Sequence, residues 1–264
     1  MTHQPRKRFG QHFLADPGTV ARIVAAIDPG PEDRMVEIGP GLGVLTRPLL
    51  DRLKRLHAVE IDRDLTAHLS REFPAERLVI HLGDALRFDY AALGPSLRVV
   101  GNLPYNISTP LLFRLADCAR NLRDLHLMLQ REVVDRMAAC PSTREYGRLS
   151  VMLQYRFRIE KLFRVPPEAF RPPPRVDSAV VRMTPLARQN PEALDLRVLG
   201  DVVTRAFTRR RKTLRNALSG IAHEAMLKSL DIDPGLRPEN LAVADYVRIS
   251  NRVTEEGITT ASAE

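Results

Sequence analysis

The apolar run Leu97–Val100 ends in Gly101, Asn102, Leu103, Pro104 and Tyr105. An amide, a proline and an aromatic ring directly after a short strand could act on a planar base. An exocyclic amine on a base is a poor nucleophile because its lone pair is delocalised into the ring. Hydrogen bonds from that amine to two carbonyl oxygens favour the pyramidal nitrogen of the transition state. Asn102 offers a side-chain carbonyl, and the Leu103 backbone carbonyl can point the same way because Pro104 restricts the residue before it. Tyr105 can stack on a base face. An amide also avoids the repulsion that a carboxylate would feel from nucleic-acid phosphates. The alternative is an Asn-containing turn that only closes a strand.

A second candidate lies upstream. EIGPGLG, residues 37–43, places Gly39, Gly41 and Gly43 at alternate positions between an apolar run and an amphipathic one. Glycine lets the backbone turn tightly and approach a ligand. The spacing is GxGxG, not the GxGxxG of dinucleotide sites, so a plain strand-to-helix turn would also explain it. Acids change the balance. Glu60 ends a second apolar run, Asp84 follows a third, and Glu37 precedes the glycines. Ligands of open α/β sheets bind at the carboxyl ends of strands. There Glu60 can accept from a ribose diol and Asp84 from an adenine amino group, while Glu37 adds negative charge near the loop. Such a pocket suits a nucleoside with a positive centre and no phosphates, which describes S-adenosylmethionine. Each acid alone reads as a solvated strand end or helix cap.

The elements that must position these residues alternate along the chain. RMVEIG, RLHAVEID, RLVIHLGD, LRVVGN and LHLMLQ read as strands. VLTRPLLDRL, RDLTAHLSREF, TPLLFRLADCA and REVVDRMAA between and after them read as helices, with Leu45, Leu49, Leu50 and Leu53 on one face of the first. That order predicts an α/β fold, a mainly parallel Rossmann-like sheet with helices on both faces. IEKLFRV and SAVVRM flank a Pro-rich loop and can close the sheet as a hairpin pair. Beyond about Thr184 strand patterns stop and LRVLGDVVTRAFTRRRKTLRNALSG and HEAMLKSL read as helices, with Gly220 a helix end. The expected domains are 1–186, cofactor-binding with a basic N-terminal arm, and 187–264, a small helical domain. The tail TEEGITTASAE reads as frayed.

The net charge of +8 and pI near 10 favour a polyanionic partner such as nucleic acid. No run of about 18 apolar residues suggests a membrane span, and the basic N-terminus lacks the apolar core of a signal peptide, so a cytoplasmic protein is expected. Cys118 and Cys140 form no CxxC pair and the seven His show no HExxH spacing, so no metal is expected.

Taken together, RKRFGQHFL, EIGPGLGVLT, VEIDRDL, GNLPYNIST, YGRLSVM, FRPPPRVDSAVV and RRRKTLRNAL resemble, in order and over nearly the whole chain, the small-subunit ribosomal RNA adenine dimethyltransferases. Each stretch is modest alone; seven in sequence are specific. The resemblance implies S-adenosylmethionine contacts at His12, Leu14, Gly39, Glu60, Asp84 and Asn102. It implies a catalytic loop from Asn102 to Tyr105, and Phe170 as a second aromatic against the target adenine. His12 stands where many members carry Asn and keeps a polar ring there. The implied reaction is dimethylation of two adjacent adenosines near the 3′ end of 16S rRNA, within the small ribosomal subunit or its precursor. A monomer is expected.

RAFTRRRKTLR carries Arg205, Arg209, Arg210, Arg211, Lys212 and Arg215 without an acid. Read as one helix, positions 205, 209, 212 and 216 share a face, opposite Val203, Phe207, Leu214 and Leu218. The chain beyond residue 186, this stretch included, has nearly balanced charge, 12 Lys and Arg against 11 Asp and Glu, so the six cations are a local excess. A local patch that contacts rRNA phosphates is one reading; a solvated charged face is the other. Two further functions compete with the first. The related large-subunit methyltransferases of macrolide resistance share a similar NxPYNIST loop, but PPPRVDSAVV and RRKTLRN favour the small-subunit group. A nucleic-acid-binding factor of the same fold without activity is the other, against which Glu60, Asp84 and the NLPY loop argue.

Overall fold

The computed structural model describes residues 12–260. The chain forms two compact units, 1–134 with 157–185, and 135–156 with 186–264. The basic RKR at 6–8 lies outside the described residues.

The first unit is built on a seven-stranded sheet. Its elements in chain order are β1 (Phe13–Leu14), α1 (Pro17–Ile27), β2 (Met35–Ile38), α2 (Thr46–Leu50), β3 (Leu56–Glu60), α3 (Arg63–Glu72), β4 (Leu78–Leu82), β5 (Leu97–Asn102), α4 (Ser108–Asp117) and β6 (Leu122–Gln130). Helix α5 (Arg131–Met137) leads out of it and α6 (Arg148–Gln154) lies in the second unit; then come β7 (Phe157–Val165), β8 (Phe170–Arg171) and β9 (Ser178–Pro185). The sheet order is β4-β3-β2-β5-β6-β9-β7, with β1 and β8 as a separate ribbon. Strands β4 to β6 in that order pair in parallel, while β9 pairs antiparallel with β6 and β7. The expected Rossmann-like α/β sheet with a closing hairpin pair is therefore present.

Local chemistry sets these elements. Asp16 and Asp62 cap α1 and α3, accepting from the backbone N–H of Thr19 and Asp64. Helix α1, which the periodicity reading passed over, buries Thr19, Val20, Ile23 and Ile27 at helical spacing. Leu45, Leu49, Leu50 and Leu53 are all buried, as their shared face predicts, although regular helix covers only Thr46–Leu50. Every residue of β2 is buried, as a strand covered on both faces requires. Buried Arg98 ties this unit at the amino ends of its strands. It pairs with Asp33 at 2.6 Å and Asp124 at 2.9 Å and donates to the Ile27 carbonyl at 2.6 Å.

The second unit holds α7 (Leu196–Thr208), α8 (Leu214–Ala217), α9 (Glu224–Ser229) and α10 (Val243–Glu255). A single cut at 186 does not describe it. Tyr146, Val151 and Tyr155 are buried in the same cluster as Leu199, Val203, Tyr246 and Val253, so residues 135–156 belong with the later helices. The described part of the tail, residues 254–260, is packed: α10 runs to Glu255, Ile258 packs on the cluster, and Thr260 Oγ1 donates to Asp201 at 2.6 Å. The basic stretch is not one helix. Helix α7 stops at Thr208, residues 209–213 form a turn, and α8 begins at Leu214.

Candidate functional site

The chain order β2, β3, β4 runs outward on one side of β2, and β5, β6 on the other. The reversal between β2 and β5 opens a crevice at their carboxyl ends, the place where such sheets bind ligands. A cavity of about 230 Å³ occupies it. Of the expected cofactor residues, His12, Gly39, Gly41, Glu60, Asp84 and Asn102 line this cavity, and so do Leu103, Pro104 and Tyr105.

The glycine loop comes close because it must. Gly39 and Gly41 have φ of +66° and +60°, a region costly for residues with a Cβ. A Cβ on Gly41 would also lie 3.1 Å from the Phe13 ring. At Gly101 a Cβ would fall 2.6 Å from the Ile38 carbonyl oxygen, so β5 can approach β2 only with glycine there.

Glu60, at the end of β3, is 5% exposed. Its Oε1 accepts from the backbone N–H of Ile61 and of Asp62, each at 2.9 Å. Burial pushes its carboxyl above the usual range, while the backbone N–H groups of Asp62, Gly41 and Ile61 pull the other way. Asp84 Oδ1 accepts from Leu86 N–H at 2.9 Å, which fixes the carboxylate at the rim. Aliphatic Ile38, Val59, Ile61 and Leu86 line the walls, and among the described residues no Lys or Arg does. Those acceptors and apolar walls fit a flat, uncharged or cationic nucleoside and would repel a pyrophosphate, so the residues suit S-adenosylmethionine.

Asn102 ends β5. Its Nδ2 donates to the His12 carbonyl at 2.9 Å. A carbonyl only accepts, so this contact fixes which end of the amide is nitrogen and leaves Oδ1 for another donor. Leu103 N–H donates to Met128 O at 3.0 Å, and the Pro104 carbonyl accepts from Ile107 N–H and Ser108 Oγ. The loop is thereby held at both ends. The Tyr105 hydroxyl shares a 2.9 Å hydrogen bond with Ser178 Oγ, and burial raises its pKa against that bond. The His12 ring stacks on Tyr105 with centroids 5.7 Å apart, and its Nδ1–H donates to Pro172 O at 2.9 Å.

Three expectations change. Leu14 does not line the large cavity; it lines a smaller neighbouring depression with Gly39, Gly41 and Asn102. Phe170 is fully buried in the core opposite Leu14 of β1, and neither depression includes it. Successive strand residues face opposite ways, so in β8 the inward position falls to Phe170 and the outward one to Arg171. As an aromatic wall for a base it is misplaced in this structure. Glu37 is 2% exposed, accepts from Thr46 Oγ1 at 2.6 Å and borders the smaller depression. Burial, reinforced by Glu60, pushes its pKa up to about 7, and it lies outside the lining of the large cavity. Phe13, Ser178 and the His12 carbonyl are participants that sequence reasoning missed. Phe13 and His12 lie in RKRFGQHFL and Ser178 in FRPPPRVDSAVV, but nothing in those stretches by themselves shows that the Phe13 ring, the Ser178 hydroxyl or the His12 backbone carbonyl reaches the site.

The basic residues are dispersed. Arg205 donates to Ser219 O at 2.6 Å and Arg209 to Asn216 O at 3.2 Å. Arg210 pairs with Glu239 at 2.6 Å and Arg215 with Glu224 at 3.4 Å. Arg209, Arg211 and Lys212 are exposed on the turn after α7, without an ion pair among the described residues.

Residues 2–255 match the family described as "Ribosomal RNA adenine dimethylase". The chain is 58% identical over 256 residues to "Ribosomal RNA small subunit methyltransferase A" of Chromobacterium violaceum, covering 97% of this chain and 98% of that one. It is 60% identical over 251 residues to the protein of the same name from Aromatoleum aromaticum, covering 95% of each. Among solved structures, a dimethyladenosine transferase from Plasmodium falciparum superposes with a TM-score of 0.82 at 25% identity, over 94% of this chain and 99% of that one. With the cavity at the strand reversal and the NLPY loop closing it, these likenesses make the chain a member of the ribosomal RNA adenine dimethylase family.

Proposed function

We propose that this chain moves methyl groups from S-adenosylmethionine to the exocyclic N6 amine of two adjacent adenosines near the 3′ end of 16S rRNA. The observation that carries the reading is the fixed amide of Asn102, with Oδ1 left to accept at the edge of a cavity whose far wall holds Glu60 and Asp84. The names of the relatives support the small-subunit target.

When bound, the donor supplies an electrophilic methyl group on a sulfonium. Glu60 would hold the ribose hydroxyls with the carboxylate oxygen not taken by Ile61 and Asp62. Asp84 would accept from the adenine amino group. Asn102 Oδ1 and the Leu103 carbonyl would accept the two N–H groups of the target amine and favour its pyramidal form. Tyr105, tethered by Ser178, would stack on the target base. No strong general base is required, because the amine becomes cationic as the new N–C bond forms and then readily loses a proton to water.

The first unit would hold donor and base, and the second would contact rRNA phosphates through the exposed Arg209, Arg211 and Lys212. One chain carries every residue used here, so a monomer suffices. Among the described residues no helix is long and apolar enough to cross a membrane; the proposed site of action is the cytoplasm. Primer extension across the 3′ end of small-subunit rRNA, from cells with and without the gene, tests the reading, because dimethylated adenines stop reverse transcriptase. Read-through in both strains would refute it.

A further inference from the structure

The first unit carries a second large depression at the opposite end of its sheet, with a volume of about 430 Å³. Its wall comes from residues at the starts of four neighbouring strands: Arg34 and Met35 at β2, Lys54, Arg55 and His57 at β3, Ser96 at β5 and Arg123 at β6. Its charge is opposite to that of the methyl-transfer cavity. Four cations, Arg34, Lys54, Arg55 and Arg123, face two acids, Glu32 and Asp33. Asp33 is already committed, since its Oδ2 pairs with buried Arg98 at 2.6 Å and its Oδ1 with Arg123 at 2.7 Å. Glu32 pairs with Lys54, both well exposed.

Arg34 and Arg55 have no carboxylate partner among the described residues. Each spends a donor on a backbone carbonyl, Arg34 Nη1 on Pro95 O at 2.8 Å and Arg55 Nε on Glu76 O at 3.3 Å. Those bonds restrain the guanidinium groups and leave most of their five N–H donors for a ligand. Half-buried His57 reports the resulting field. Burial, His81, Arg55 and Arg34 together hold its imidazole below the ordinary value, while Nδ1 shares a 2.9 Å hydrogen bond with His81 Nε2.

We propose that this depression binds backbone phosphate of RNA through Arg34, Lys54, Arg55 and Arg123, as a docking point separate from the methyl-transfer cavity. Planar guanidinium donors match phosphate oxygens in pairs. Arg34, Lys54, Arg55 and Arg123 are exposed, which suits a phosphate that stays on a polymer; a free ion would remain largely in water. The inference rests on the rRNA reading, and it adds a contact on the first unit, distant in sequence from the Arg209–Lys212 turn.

The test uses the full chain and a Lys54→Gln/Arg55→Gln variant, after a thermal melt shows that the variant is folded. Both residues are exposed. A single Arg55→Gln variant repeats the measurement if the double variant is unfolded. Binding of small ribosomal subunits is followed over a range of salt, and the His57 imidazole resonances are followed while a short RNA hairpin, or inorganic phosphate, is added. The expected result is a log-affinity against log-salt slope smaller by about one to two units in the double variant, with hairpin-induced His57 shifts seen in the wild type and lost in the variant. An unchanged slope with no His57 shift overturns the proposal. So does a His57 response to inorganic phosphate alone, which would make the depression a free-anion site. Methyl transfer by the wild type is scored separately, so loss of the rRNA reading is distinguishable from loss of this docking point.

Discussion

The Asn102 side chain is bound to the backbone of His12: its Nδ2 donates to the His12 carbonyl at 2.9 Å, across 90 residues of sequence. The amide is therefore an oriented acceptor. Asn102→Ala should keep S-adenosylmethionine affinity within about tenfold and lower methyl transfer about a hundredfold or more, the scale of one lost transition-state contact. Asn102→Asp should be no better, because a carboxylate would face the His12 carbonyl with no proton to donate. Calorimetric titration and tritiated methyl transfer check both, and near-normal turnover in either variant would remove Asn102 from the reaction.

Glu60→Gln should weaken donor binding by about tenfold to a hundredfold, the scale of a lost charged hydrogen bond. The structure explains why the conservative change is not mild. The Gln carbonyl would stay on Ile61 and Asp62 N–H, as Glu60 Oε1 does now, so the amide NH2 would face the ribose with donors where an acceptor is needed. A dissociation constant equal to wild type would leave Glu60 as a strand-end charge.

Glu37 makes stability depend on pH in a fixed direction. Its carboxyl is pushed from 4.5 to about 7 in the folded chain. Below about pH 4.5 both folded and unfolded states hold the proton. As pH rises toward 7 the unfolded state loses it first, so stability falls across that window and levels off above it. Glu37→Gln, which can still accept from Thr46, should flatten this decline by about 1–3 kcal/mol. Urea unfolding between about pH 5 and 8 measures it; parallel profiles for the two proteins would contradict the burial argument.

Phe170→Ala should act on stability. A fully buried Phe in the core cluster costs about 3–5 kcal/mol on truncation. A variant that unfolds at the wild-type denaturant midpoint but no longer methylates would return Phe170 to the site.

In the second unit, Arg209→Ala/Arg211→Ala/Lys212→Ala should lower the salt slope of subunit binding by about one to three units, one for each phosphate contact. Arg210 is left intact because it is held by Glu239, and its loss would mix stability with binding. Circular dichroism first confirms folding; a wild-type slope would make this turn a solvated face.

Periodicity alone determined the alternation of strands and helices, and hence the parallel sheet, because burial on both faces of a strand or one face of a helix leaves a local record in residue order. The glycine loop, Glu60, Asp84 and Asn102 were legible too, since in such a sheet the residues that follow each strand must meet at one edge. What tertiary structure decided was direction and company. Glu37 and Glu60 both sit near strand ends, yet one is bonded to Thr46 in the interior and the other lines the cavity. Phe170 turns inward because β8 pairs with β1, a contact between residues more than 150 apart. Residues 135–156 join the later helices through Tyr146, Val151 and Tyr155, although strands of the sheet follow them in the chain. The basic stretch is broken at Thr208, so that Arg209, Arg211 and Lys212 are exposed on the turn while Arg210 is held by Glu239. Each of these depends on which distant backbone supplies the hydrogen bonds and the apolar cover, and local sequence does not encode that partner.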